Sequence, residues 1–307
     1  MEKFKNKNRF IQFELWKECS LGCKFCFNKK QKDVNKIESL QFVLNKLDDS
    51  EMLDYNEIGF IGGEFFNNEL KDNDVKQLFY NLFKKLSTMH FEKIYITGAL
   101  IYDMQPYLIP FLNYLKELKI LEKVLLCTSY DLKYRFYTKE REDLWKNNML
   151  TLHKLYPELK LHTETIVTQF FIDAVLNDEF SITEFCNTYK TGLDFIDPTS
   201  GLYYKDKQEC MKDIPDFFPT KDSFIEFLMK TGIESNEIDL KTFLSMEIRS
   251  NKIYYIDEGE RFCSGNRREN NGTLKPKNCN IKYEFGFADS TDTLPEIVEE
   301  FKLIVGE

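Results

Sequence analysis

The chain has 307 residues, with 42 lysines and arginines against 51 aspartates and glutamates and a formal net charge of −9. That balance disfavours tight binding to a nucleic-acid polymer or an anionic membrane surface, and no apolar run is long enough to span a bilayer. The length suits one large domain, or one domain with an appendage. The N-terminal residues carry no apolar segment of signal-peptide type, so the expected location is cytoplasmic and the eight cysteines read as thiols and ligands rather than disulfides.

Apolar extended runs alternate with helical ones along the first two thirds of the chain. A strand over Arg9 to Trp16 precedes a cysteine loop, after which Ile37, Leu40, Val43, Leu44 and Leu47 recur at helical spacing. The unit repeats with a strand over Glu57 to Ile61 and a helix near Asp74 to Met89, then Lys93 to Thr97 with Gln105 to Leu118, and Lys123 to Ser129 with Glu140 to Leu155. A fifth strand is expected over His162 to Gln169 with a helix near Ile182 to Tyr189, and a sixth over Leu193 to Ile196. Six such units argue a parallel sheet with helices outside it, whose ligand sits at the carboxyl ends of the strands.

The loop Cys19-Ser-Leu-Gly-Cys23-Lys-Phe-Cys26 offers three thiolates at spacings that let them converge on one soft metal centre. Structural zinc usually closes with four ligands, and no fourth Cys or His follows within the next sixty residues. Ile58 to Glu64 supplies a second motif, an apolar run that breaks on Gly62 and Gly63 and ends in the carboxylate of Glu64. Paired glycines let backbone approach a neighbour closely, and the carboxylate is suited to an ammonium group.

Together the two motifs resemble the radical S-adenosylmethionine (radical SAM) superfamily. The resemblance implies a partial (β/α)6 barrel over residues 1–200, with a C-terminal α+β extension over 201–307 that contains a β-hairpin and covers the substrate. It implies that Cys19, Cys23 and Cys26 hold a [4Fe-4S] cluster whose fourth iron binds S-adenosyl-L-methionine, that Phe25 lies against the adenine, and that Gly62, Gly63 and Glu64 take the methionine amino group. It also places a polar ribose contact on the fourth strand, with Ser129 first and Thr128 as the alternative. Thr97 at the end of the third strand offers another hydroxyl, and Arg135 a partner for the methionine carboxylate or a substrate phosphate. The implied activity is reductive cleavage of S-adenosylmethionine to a 5′-deoxyadenosyl radical that abstracts hydrogen, in an oxygen-sensitive enzyme fed by a reductant such as flavodoxin or ferredoxin.

Cys127 shares a strand face with Ser129, as either a buried strand thiol or a hydrogen donor to a substrate radical. Glu14 faces either the barrel interior or the helices. His90, His153 and His162 have no metal spacing and receive no function.

After about residue 200 the pattern changes. A helix is expected over Lys221 to Lys230, a hairpin from Leu244–Arg249 and Lys252–Asp257 turning at Ser250-Asn251, and a last helix near Leu294 to Leu303. Cys186, Cys210, Cys263 and Cys279 lack the close pairing of an auxiliary cluster, and a loop near Gly265 and Asn266 that closes over substrate is preferred to a second metal. Residues 1–38 carry ten Lys or Arg against five Asp or Glu, and Gly265 to Lys282 carry five against Glu269 alone. These basic stretches read either as solvated surface or as the flanks of an active-site mouth that attracts an anionic substrate such as a nucleotide, and a nucleoside, nucleotide or modified base is the leading substrate class. Peptide modification is the alternative, and a non-catalytic iron-sulfur electron carrier is the reading from another class.

Overall fold

The computed structural model describes residues 10–23, 35–196 and 217–234, together with the backbone of 251–255, 259–262, 267–268 and 274–275 and residue 303. Strands β1 (Phe10–Glu14), β2 (Glu57–Ile61), β3 (Lys93–Thr97), β4 (Val124–Ser129), β5 (Lys160–Ile166) and β6 (Gly192–Ile196) pair in sequence order, all parallel. Helices α1 (Lys36–Lys46), α2 (Asn73–Leu86), α3 (Leu108–Glu117), α4 (Lys139–Leu155), α5 (Gln169–Leu176) and α6 (Ile182–Tyr189) lie between them. This is the parallel α/β arrangement that the alternating pattern predicts, consistent with the partial barrel that the resemblance implies.

Local chemistry sets where the helices start. Asn35 accepts hydrogen bonds from the Ile37 and Glu38 amides, Asp72 from Asp74 and Val75, and Ser181 from Glu184, satisfying donors that a first helical turn leaves open.

The two faces of the sheet differ in kind. Ile11, Phe13, Ile58, Phe60, Ile94, Ile96, Val124, Leu126 and Leu161 are buried in one apolar cluster with side chains of α1 to α4. Their alternating neighbours, paired across the strands, form the opposite, open face: Gln12 and Glu14, Glu57, Tyr95 and Thr97, Cys127 and Ser129, His162 and Glu164, and Asp194. In a complete barrel such a face is a packed apolar core. Here polar residues share the face with Phe10, Ile61, Leu125 and Ile166.

Several elements depart from the sequence expectation. β5 ends at Ile166, Thr168 caps a helix that was not anticipated, and Gln169 is its first residue. The apolar run from Phe170 onward has no periodicity that separates a short buried helix from a strand. Helix α7 (Lys221–Leu228) continues into a π-helical turn over Met229–Glu234. Phe224, Phe227 and Leu228 of α7 bury against Phe171 and Ile172 of α5 and Phe195 of β6. The hairpin lies later than expected: β7 (Asn251–Tyr255) pairs antiparallel with β8 (Gly259–Phe262), and Asn251 is a strand residue rather than a turn. β7 also pairs parallel with β1, extending the sheet to eight strands. Arg267–Arg268 (β9) and Leu274–Lys275 (β10) form a separate antiparallel pair. Phe25, Cys26, Cys210, residues 244–249, Cys263, Gly265, Asn266, Cys279 and residues 294–302 lie outside the described residues.

Candidate functional site

Both sequence motifs begin where their strands end, and the backbone joins them directly. Beyond β1 and β2 the ladder continues: the Leu15 amide donates to Ile61 O at 3.0 Å, Gly63 to Trp16 O at 2.9 Å and Glu64 to Glu18 O at 2.9 Å. The Trp16 indole N–H returns a bond to Glu64 O at 2.8 Å. A Cβ on Gly62 would sit 2.3 Å from Trp16 O, and one on Gly63 1.8 Å from Glu18 O. The glycines are needed because the segment leading into Cys19 packs on them, a reason the sequence reading did not contain.

Three other elements hold the cysteine loop. Asn67 Nδ2 donates to Ser20 Oγ at 2.6 Å, Arg141 Nη1 of α4 to Leu21 O at 3.0 Å, and the Tyr137 hydroxyl to Gly22 O. Gly22 has φ +69°, a left-handed turn between the two described cysteines that glycine adopts without steric cost. Cys19 is half-buried and Cys23 buried. Among the described residues no three metal-binding side chains converge; the third cysteine of the motif is not one of them.

Glu64 is turned into the fold. Only 1% exposed, it accepts from the Phe65 and Phe66 amides at 2.8 and 2.9 Å through Oε1 and from the Ala99 amide at 2.6 Å through Oε2. Burial pushes its carboxyl up to about 7 against the opposing pull of these amides. Burial, and then the neighbouring Glu64, also raise the phenol of Tyr102. The carboxylate that the resemblance assigns to the methionine amino group thus also accepts three backbone amides, with one lone-pair site left on Oε2.

Strand β4 separates its two hydroxyls. Thr128 lies on the helix-covered face, where its Oγ1 accepts from Trp145 Nε1 at 3.0 Å and donates to Ala99 O at 3.3 Å. Ser129 is half-buried on the open face, as is Thr97, whose hydroxyl donates to Phe60 O at 3.4 Å. After β4 the chain turns on Asp131, whose Oδ1 accepts from the Lys133 and Tyr134 amides. Burial raises the Asp131 carboxyl, and those amides and the Arg135 charge oppose the rise. Arg135 is 8% exposed, and its Nε has no hydrogen-bond partner among the described residues. A buried guanidinium left in that state is suited to a carboxylate or phosphate.

Glu14 lies on the open face with Lys17 Nζ 3.5 Å away, and Glu57 accepts from Lys93 Nζ at 2.9 Å and the Tyr95 hydroxyl at 2.8 Å. His162 lies there too, with Nε2 2.7 Å from Asp194 Oδ2. Sequence reasoning passed over this pair. The available signal was alternation, His162 with Glu164 and Gly192 with Asp194, once the two strands are placed side by side.

No family model matches the sequence, and no curated protein matches it. Among solved structures, the chain is similar to histidine-tagged anSMEcpe with bound AdoMet, with a TM-score of 0.52 and 14% identity over 95% of this chain and 80% of that one. It also matches SuiB of Streptococcus suis, with a TM-score of 0.43 and 12% identity over 80% of this chain and 58% of SuiB, less than two thirds of that protein's length. The likeness to anSMEcpe shows that the two chains share a fold.

Proposed function

We infer that this chain is a radical SAM enzyme, with Cys19, Cys23 and Cys26 holding a [4Fe-4S] cluster beside a seat for S-adenosylmethionine. One observation carries the reading: the segment entering the cysteine loop and the Gly62-Gly63-Glu64 turn are locked together by backbone bonds at the carboxyl edge of β1 and β2. When bound, the reduced cluster and S-adenosylmethionine supply a 5′-deoxyadenosyl radical that takes a hydrogen atom from a substrate carbon.

The residues present fit these groups. Thiolates are the donors an iron-sulfur cluster requires. Arg135, buried with its Nε lacking a partner among the described residues, sits just past β4 where a methionine carboxylate would be met. Ser129 and Thr97 would offer hydroxyls to the ribose, Thr128 is committed to Trp145 and Ala99, and Phe25 would lie against the adenine. Glu64 acts through the turn it pins, leaving the backbone of Gly62 and Gly63 to face the amino group.

For the substrate, the basic stretches favour a nucleoside or nucleotide. A modified peptide is the second reading, because Glu164 and Asp194 stand side by side on the open face and would repel a polyphosphate. The test is anaerobic: reconstitute and reduce the protein, add S-adenosylmethionine, and follow 5′-deoxyadenosine by mass-detected chromatography. Formation in the wild type and loss in Cys23→Ala is the expected result. An intact cluster with no 5′-deoxyadenosine would return the protein to the electron-carrier class. Acceleration by nucleotides or by basic peptides then separates the two substrate readings.

A further inference from the structure

The first turn of α4 sets one charge against the cysteine loop. Arg141 is half-buried, and its Nη1 donates at 3.0 Å to the carbonyl of Leu21, the residue midway between Cys19 and Cys23. Its guanidinium carbon lies 5.8 Å from the centroid of the Tyr137 ring, and the Tyr137 hydroxyl donates to the next carbonyl, Gly22 O. Tyr137 holds φ +61° with its side chain 45% exposed, so the strained backbone is kept without the return of a buried ring.

The helix gains nothing from this cation, because a positive charge in a first turn opposes the macrodipole. The carboxylates of that turn are engaged elsewhere. Glu140 is held by its own amide and the Thr138 hydroxyl, and Asp143 by Lys139 at 3.1 Å. Glu142 takes Lys139 at 3.2 Å, Lys146 at 2.5 Å and the Tyr130 hydroxyl at 2.8 Å. On the strand side of the loop, Glu18 is paired with Lys36 and Glu14 with Lys17. Among the described residues no ion pair reaches Arg141. One uncompensated positive charge is thus fixed on the segment between two thiolates.

We propose that Arg141 sets the reduction potential of the iron-sulfur cluster, an inference that rests on the cluster assigned above but not on S-adenosylmethionine. Arg141 is a positioning residue that acts through its charge. Reduction adds one electron, from a low-potential flavin or iron-sulfur donor, to a centre that three thiolates already make anionic; no bond breaks and no proton is taken up. A fixed cation favours the more negative state, and a half-buried one is screened less by salt. Tyr137, with its ring against the guanidinium and its hydroxyl on Gly22 O, keeps the charge in place.

The test is anaerobic potentiometry of reconstituted protein with no S-adenosylmethionine present, read by absorption and electron paramagnetic resonance at equal iron per chain. Wild type is compared with Arg141→Gln, which keeps a donor for Leu21 O without the charge, and with Arg141→Lys, which keeps the charge. Arg141→Met, which keeps the stem against Tyr137, is the second neutral variant and replaces Arg141→Gln should that protein fail to fold. The equilibrium constant for reduction should fall about tenfold in the neutral variants, a shift of about 59 mV to lower potential for one electron, and Arg141→Lys should recover most of it. Equal potentials in all the proteins overturn the proposal. An equal fall in Arg141→Lys and Arg141→Gln overturns it too, because loop geometry and not charge would then be responsible. Unshifted potentials in proteins that still form 5′-deoxyadenosine sink the tuning role alone. A charge-dependent shift in a protein that forms none supports the tuning role and removes the radical reading.

Discussion

The Glu64 carboxylate accepts a hydrogen bond from the Ala99 amide at 2.6 Å, tying the turn after β2 to the turn after β3. Burial raises this carboxyl from 4.5 to about 7, so the folded state holds a proton more tightly than the unfolded chain does. Its stabilising effect is therefore complete below pH 4.5 and is lost as pH rises through about 7. Relative to Glu64→Gln, the wild type should lose on the order of 3 kcal/mol across that window and run parallel above it. Denaturant titrations of both proteins at several pH values measure the difference. Parallel profiles throughout would mean that the amides offset burial and leave the Glu64 carboxyl at its ordinary value.

Gly63→Ala forces a Cβ to within 1.8 Å of the backbone oxygen of Glu18, so the chain before Cys19 must move. We expect iron bound after anaerobic reconstitution to fall several-fold, with stability lower by about 1–3 kcal/mol. Iron assay and thermal unfolding read the two effects separately. Full iron content in a folded Gly63→Ala protein would show that the loop tolerates displacement.

Arg141→Ala removes the bond to Leu21 O while leaving the core of α4, around Trp145, Met149 and Leu152, in place. Global stability should change by no more than about 1 kcal/mol, but reconstituted protein should lose iron to a chelator several times faster than wild type. Equal loss rates would remove Arg141 from the support of the cysteine loop.

Asn148 on α4 donates through Nδ2 to Leu100 O at 3.0 Å and Tyr102 O at 2.9 Å. Those carbonyls belong to the turn after β3, where Leu100 holds φ +57°. Asn148→Ala leaves both with no side-chain donor in a buried site and should cost about 1–3 kcal/mol. A double variant with Glu64→Gln should cost less than the sum of the two single changes, because both residues hold the same turn. Strict additivity would show that the two anchors act independently.

The alternation of strands and helices was legible because parallel strands buried against helices keep a strong apolar pattern: Phe60, Ile94, Ile96 and Leu126 are all core residues. The location of both motifs followed from the rule that ligands sit at carboxyl strand ends. Less legible was the work each residue does. A glycine pair reads the same whether it makes room for a ligand or for Trp16 and Glu18. The anchors Arg141 and Tyr137 reach the cysteine loop through the fold, from positions more than a hundred residues later, and leave no local signal. His162 showed no partner in the sequence because Asp194, which it meets, is set by strand register. Helix α5 was hidden in a short, mostly apolar stretch, and the pairing of β7 with β1 depends on a connection no local pattern encodes.

That last pairing has a temporal side. Phe10 is matched with Asn251, a separation of about 240 positions. Ribosomal synthesis delivers the N-terminal segment first, so β1 and the loop that follows it spend most of translation with one ladder edge bare. The edge closes only when residues 251–255 have emerged, so the order of synthesis decides when β1 gains its second neighbour.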